Sequence, residues 1–133
     1  MTTRVYVPLT STGVAALVAE RRLAGPLPAH TVTEELRLAW PEAEQDDWEF
    51  AAMLAAGEDS WTSRAAGDAP RRFVLAVDAA EVTDGEGTGV TVGDVVWKRI
   101  ASLHADTEDW SGEPDLDADL AWFATQEIPD LLG

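Results

Sequence analysis

Phe73-Val74-Leu75-Ala76-Val77 is a short, continuous apolar run, preceded by the turn sequence Gly67-Asp68-Ala69-Pro70. A strand that is half exposed alternates apolar and polar residues, whereas a strand covered on both faces does not. Residues 73–77 therefore predict a central strand, and the fold must place a layer on each side of it.

Upstream of this strand, residues 44–65 predict the longest helix. Trp48, Ala51, Ala52 and Ala55 form one stripe, and Phe50, Leu54 and Trp61 form another. The acidic start at Glu44, Asp46, Asp47 and Glu49 suits the positive end of a helix. Gly57 weakens the middle by about 1 kcal/mol relative to Ala and marks where the helix would break. Further back, Thr33 caps a helix that runs through Glu34, Leu36 and Trp40 to Pro41, after a short strand at His30-Thr31-Val32. Val5-Tyr6-Val7 predicts a strand over 4–8 closed by Pro8. Thr10, Ser11 and Thr12 then offer caps for a helix over 11–24, which Gly25-Pro26 stops.

Downstream, residues 83–89 are a polar, Gly-rich loop and Val90-Thr91-Val92 a strand. Gly93-Asp94 turns the chain, and Val96, Trp97 and Ile100 fit one helical turn. Residues 101–106 alternate as a strand with Leu103 facing in, so Ser102, His104 and Asp106 share the opposite face. Residues 107–113 are polar loop. Pro114 begins a terminal helix with an apolar stripe of Leu116, Leu120, Phe123 and Ala124, ended by Pro129. The sum is a single α+β domain over 1–133. Its mixed sheet of about five short strands is expected to pack against a long central helix and a C-terminal helix.

Composition narrows the function classes. The 133 residues are 46% hydrophobic, enough for a core without disulfide or metal support. There is no Cys, which excludes a thiolate metal site, a Cys nucleophile and a redox role. The 25 Asp and Glu outweigh nine Lys and Arg, for a formal charge of −16. Such a chain repels phosphate backbones and anionic membranes, so direct nucleic-acid or membrane binding is not expected. A basic protein partner is. The start, Met1 to Thr10, lacks the basic and apolar regions of a signal peptide, and no apolar run reaches the roughly 20 residues of a membrane span. The expected location is cytoplasmic.

Motifs add little chemistry. Asp84 to Gly89 resembles a phosphate cradle, but a strand rather than a helix follows, and Glu86 would repel the anion. Asp115, Asp117 and Asp119 lack the Gly and Glu of a calcium loop, and no metal or cofactor is expected. No His-Glu-x-x-His or Gly-x-Ser-x-Gly motif occurs. His104 is the acid–base candidate, because imidazole works near neutral pH with little tuning. Asp106 would hold its imidazolium, and His30 or Glu127 would have to approach it. Trp40, Trp48, Trp61, Trp97 and Trp122 lie among apolar neighbours and are expected in the core. Trp110 stands in an acidic loop, as a lid folded over the core or as an exposed anchor for a partner. Gln126 and Glu127 either close the terminal helix or line a cleft with His104.

Arg4-Val5-Tyr6-Val7-Pro8, Val32-Thr33-x-x-Leu36-Arg37 and the ending Trp122-Phe123-Ala124-Thr125-Gln126-Glu127-Ile128-Pro129-Asp130-Leu131-Leu132 together resemble a family of small, acidic, uncharacterised actinobacterial proteins with no assigned activity. The likeness spans most of the chain and is most specific at its end. Many members carry a longer acidic segment where this chain has only residues 107–114. The resemblance implies a bacterial cytoplasmic setting and transfers no catalytic residue. The leading expectation is a non-enzymatic binding or regulatory protein whose acidic surface meets a basic protein. The alternatives are a small enzyme using His104 with nearby carboxylates, and a nucleic-acid mimic.

Overall fold

The computed structural model describes residues 2–131; Met1, Leu132 and Gly133 lie outside the described residues. Nine strands and three helices follow one another: β1 (Thr3–Leu9), α1 (Ser11–Glu20), β2 (Arg22–Leu23), β3 (Leu27–His30), α2 (Glu34–Ala39), α3 (Gln45–Thr62), β4 (Phe73–Ala79), β5 (Val82–Asp84), β6 (Gly89–Val92), β7 (Val95–Val96), β8 (Ile100–Ala105) and β9 (Ala121–Ala124). Short 3-10 turns occupy Trp97–Arg99 and Thr125–Asp130. Seven strands form one sheet in the order β5-β6-β3-β1-β4-β8-β9, and β2 pairs with β7 alone.

The central strand is where the apolar run places it. β4 lies between β1 and β8, and none of Phe73 to Val77 is more than 1% exposed. One face of the sheet sends Val5, Val7, Phe73, Leu75 and Leu103 against Val14 and Leu17 of α1 and against Ile128. The other face sends Tyr6, Val74 and Ala76 against Ala52 and Ala56 of α3. The alternation along β1 and β4 is thus apolar on both sides because a helix waits on each side.

Three expectations need correction. The sheet is not mixed and has more than five strands: every pairing is antiparallel. The segment expected as a long central helix is helical from Gln45 to Thr62, but it lies on a face of the sheet, and the centre belongs to β4. The C-terminal helix does not form. Residues 121–124 pair with β8 instead, Phe123 opposite Leu103 and Ala124 opposite Ser102, and the 3-10 turn follows with Pro129 inside it. A stripe of four apolar residues on an Asp-rich segment offers a helix little to bury. Pairing with the free edge of β8 satisfies backbone groups that would otherwise face water.

Element ends are set by local hydrogen bonds. Thr10 caps α1 through Gly13 N–H, and α1 stops at Arg21, whose left-handed backbone (φ 58°) lets its N–H reach Leu17 O at 2.7 Å. α1 is therefore shorter than the 11–24 span. Asp68 accepts from Ala65 N–H at 2.8 Å and from Thr12 N–H at 3.1 Å. These bonds, led by the Ala65 amide, lower its carboxyl to about 2. Thr33 caps α2 through Leu36 N–H, as its position suggests. The strand expected at 30–32 lies earlier, at Leu27–His30. β1 continues through Pro8, which is tolerated because β3 meets β1 only at Tyr6–His30 and leaves that stretch of the other edge unpaired.

Ser60 of α3 ties the layers together. Its hydroxyl donates to Leu9 O at 2.5 Å and accepts from Phe73 N–H at 2.8 Å, in full burial. It bridges the end of β1 to the start of β4 where their own pairing ends. Ser60→Ala leaves a buried carbonyl and a buried amide without a partner. The expected cost is about 2–4 kcal/mol by urea unfolding. Ser63→Ala, whose exposed hydroxyl donates to Asp59 O, should cost under about 0.5 kcal/mol. Equal losses in the two variants would refute the bridging role.

Candidate functional site

Antiparallel register decides which groups meet at the ends of β4 and β8. Phe73 lies opposite Ala105, so the residue before Phe73 must lie opposite the residue after Ala105. These are Arg72 and Asp106. Arg72 N–H donates to Asp106 Oδ2 at 2.7 Å, and Asp106 N–H donates to Arg72 O at 3.1 Å. The side chains close a fork: Arg72 Nε to Oδ2 at 3.0 Å and Nη2 to Oδ1 at 2.7 Å. The pair is nearly dry, with side chains 1% and 7% exposed. Burial opposes charge on Asp106, but the Arg72 bonds outweigh it, and the carboxyl titrates below the usual range.

This fork is the floor of a cleft of about 290 Å³, walled by Glu108, Asp109, Trp110 and Asp119. The loop that carries Trp110 is pinned by Trp110 N–H to Pro70 O at 3.0 Å and by Arg71 Nε to Asp109 Oδ1 at 2.7 Å. The Trp110 ring centre lies 5.7 Å from the Arg72 guanidinium. Trp110 is half-buried against this floor and is at once a cover for the Arg72–Asp106 pair and a wall of an open cleft. Glu108 and Asp119 are exposed. The cleft combines an aromatic face with carboxylates, a donor set that suits a cationic side chain better than an anion. Among the described residues, no group of three or more His, Asp or Glu is placed to hold a metal ion.

The other sequence-derived residues scatter around this cleft. Ser102 and His104 do share a face of β8, and Ser102 Oγ and His104 Nε2 share a hydrogen bond of 3.0 Å. Ser102 is buried, however, and Asp106 is committed to Arg72 rather than to the imidazole. Burial first, and the Arg4 charge second, lower the His104 pKa below the usual imidazole value. His30 is elsewhere on the sheet, its Nε2 2.6 Å from Asp59 Oδ2 of α3 and its Nδ1 2.7 Å from Thr88 Oγ1. Gln126 is exposed in the terminal 3-10 turn, and Glu127 Oε1 accepts from Ala124 N–H at 2.8 Å. Glu127 thus closes its own turn. The core expected for the tryptophans holds in part: Trp48, Trp61 and Trp97 are half-buried, but Trp40 is 39% and Trp122 62% exposed.

Arg72 is the cleft residue that sequence reasoning missed. Its signal was available in retrospect: an Arg directly before one buried strand and an Asp directly after another. The pairing His30–Asp59 had no such signal, since 29 residues and a change of layer separate the two.

The chain belongs to a family of unknown function, DUF6912, which matches residues 3–132. No curated protein and no solved structure matches it.

Two measurements probe the electrostatics. Asp106→Ala strands a buried guanidinium and should cost about 3–5 kcal/mol at pH 7, while Arg72→Met with Asp106→Leu should cost less than half of that. The folded carboxyl of Asp106 titrates below its unfolded value of about 3.9, so the Asp106→Ala deficit should shrink as pH falls below about 4. A deficit independent of pH would remove the ion pair as its cause. His104 acts in the same sense at higher pH, because its folded pKa also lies below the unfolded value, here about 6.5. On acidification through that value the unfolded chain takes the proton first, and wild-type stability falls. His104→Gln should flatten that fall below about pH 6.5, measured by urea unfolding at each pH.

Proposed function

We propose that this member of DUF6912 is a non-enzymatic binding protein whose acidic surface contacts a basic protein partner. One observation carries the reading: most of the cations are engaged within the chain, and most of the carboxylates are not. Four of the nine basic residues are spent on aspartates, in the pairs Arg4–Asp78, Arg22–Asp94, Arg71–Asp109 and Arg72–Asp106. Three more lie over tryptophan rings, Arg21 on Trp97, Arg37 on Trp48 and Arg64 on Trp61. Only Lys98 and Arg99 have no such partner among the described residues. Of the 25 carboxylates, four meet Arg and Asp59 meets His30, which leaves twenty without a cationic partner.

That imbalance favours association with a cationic surface, quickens encounter and penalises anionic competitors. The cleft at Trp110 offers such a partner an anchor point for a Lys or Arg side chain, between an aromatic ring and Glu108 or Asp119. The competing enzymatic reading loses support from the placement of Asp106 on Arg72, which leaves His104 with a buried hydroxyl and no carboxylate. No helix among the described residues is long and apolar enough to cross a membrane. A cytoplasmic setting in an actinobacterial cell completes the proposal.

The test is an affinity pull-down from host lysate at 50 and 300 mM salt, with and without nuclease, followed by calorimetry with the purified partner. A basic protein retained at low salt, indifferent to nuclease and released at high salt is the expected result. Nothing retained at either salt, or a partner whose affinity ignores salt, overturns the proposal.

A further inference from the structure

The free carboxylates are not spread evenly. Seven of them, Glu34, Glu35, Glu42, Glu44, Asp46, Asp47 and Glu49, fall within the sixteen residues that form α2, the α2–α3 corner and the first turn of α3. None has a cationic partner among the described residues, and Arg37, the one basic residue of this stretch, lies over Trp48. The same stretch holds the most exposed large apolar side chain of the described residues, Leu38 at 72%, and the exposed ring of Trp40.

α2 itself is held at its ends and only lightly by packing, through half-buried Leu36 and the Arg37–Trp48 contact. None of its residues is buried. Thr33 caps its start and donates to Gly87 O at 2.7 Å, and Trp48 Nε1 donates to Trp40 O at 3.1 Å beyond its end. Hollows flank it on two sides. One, of about 360 Å³, is lined by Thr31, Thr33, Glu34 and Glu35; the other, of about 120 Å³, lies toward α3 and is lined by Arg37, Gln45 and Glu49. A helix with no buried side chain contributes no core. Leu36 is half-buried beneath it, while Leu38 and Ala39 face water.

We infer that the α2 face, residues 34–49, is a docking surface for a cationic amphipathic segment of a protein partner, whose apolar side chains cover Leu38 and Trp40 while its Lys and Arg meet the surrounding carboxylates. Charge selects this occupant. A second copy of the chain would bring seven carboxylates against seven, and nucleic acid or an anionic membrane would bring phosphates. A purely basic, apolar-free partner would leave Leu38 and Trp40 in water. This inference rests on the proposed basic partner and adds its second property, an apolar stripe.

The probes are two labelled synthetic peptides of equal charge, an amphipathic Lys/Leu helix of fourteen residues and an oligolysine, titrated with the full chain at 150 mM salt by fluorescence anisotropy. The amphipathic peptide should bind at least about tenfold tighter. Leu38→Ser, a surface change whose melting temperature should match wild type, and Trp40→Ser, titrated at a temperature where the variant is shown to be folded, should each remove most of that advantage and leave oligolysine binding unchanged. Glu34→Gln with Glu35→Gln should weaken both peptides. Equal affinity for the two peptides, or an advantage that survives both Ser variants, overturns the docking surface while the basic-partner proposal stands. Failure of both peptides to bind even at 50 mM salt overturns this surface and counts against the proposed function as well.

Discussion

A strand with no side chain in water needs cover on two sides, and the rest of this molecule supplies it. Phe73 to Val77 exclude solvent only because α1 with Ile128 lies over one face and α3 over the other. At about 25 cal/mol per Å² of apolar surface, burial of each large side chain of that run contributes roughly 1.5–3 kcal/mol, so both layers are held by the same five residues. Ser60 and the Arg72–Asp106 fork sit where this strand begins. There the ladder ends and buried backbone groups need side-chain partners. Polar side chains in the interior are few, Ser60 and Arg72 at that boundary and Thr31 and Ser102 away from it, and no buried side-chain nitrogen or oxygen lacks a partner among the described residues.

The elements legible in the sequence were those whose cause is local. The apolar run of β4, the Thr33 cap of α2, the acidic start of α3 and the turn between β6 and β7 each depend on residues within one or two turns of one another. The terminal segment misled because its cause is distant. Leu116, Leu120, Phe123 and Ala124 have helical spacing, yet β8 offers Ala121 to Ala124 a complete ladder, and tertiary pairing overrode the local pattern. The sites divide in the same way. Ser102 and His104 were placed correctly beside each other by strand alternation, whereas Asp106, one step past the strand, turned to an Arg from the neighbouring strand. Strand order was needed to see this, and alternation alone does not give strand order.

The charge distribution has a structural logic that composition hides. Arginines are used as fittings: Arg22 and Arg71 hold Asp94 and Asp109, Arg72 fills the floor of a cleft, and three lie over tryptophan rings. A guanidinium suits these places because it is planar, forked and weakly hydrated. Seven of the nine cations are thus engaged by an aspartate or a tryptophan of the same chain, although only Arg72 among them is buried.

The bond from Ala124 N–H to Glu127 bears on how the sheet ends. β9 is the last strand of seven, and an antiparallel edge presents outward amides at alternate residues. Ala124 N–H is one of these, and a carboxylate from the chain's own next turn already occupies it. A foreign strand approaching this edge meets a filled donor and a negative charge, beside the bulky ring of Trp122. The seven-stranded sheet thus carries its own terminator against fibrillar growth, written in the four residues from Ala124 to Glu127.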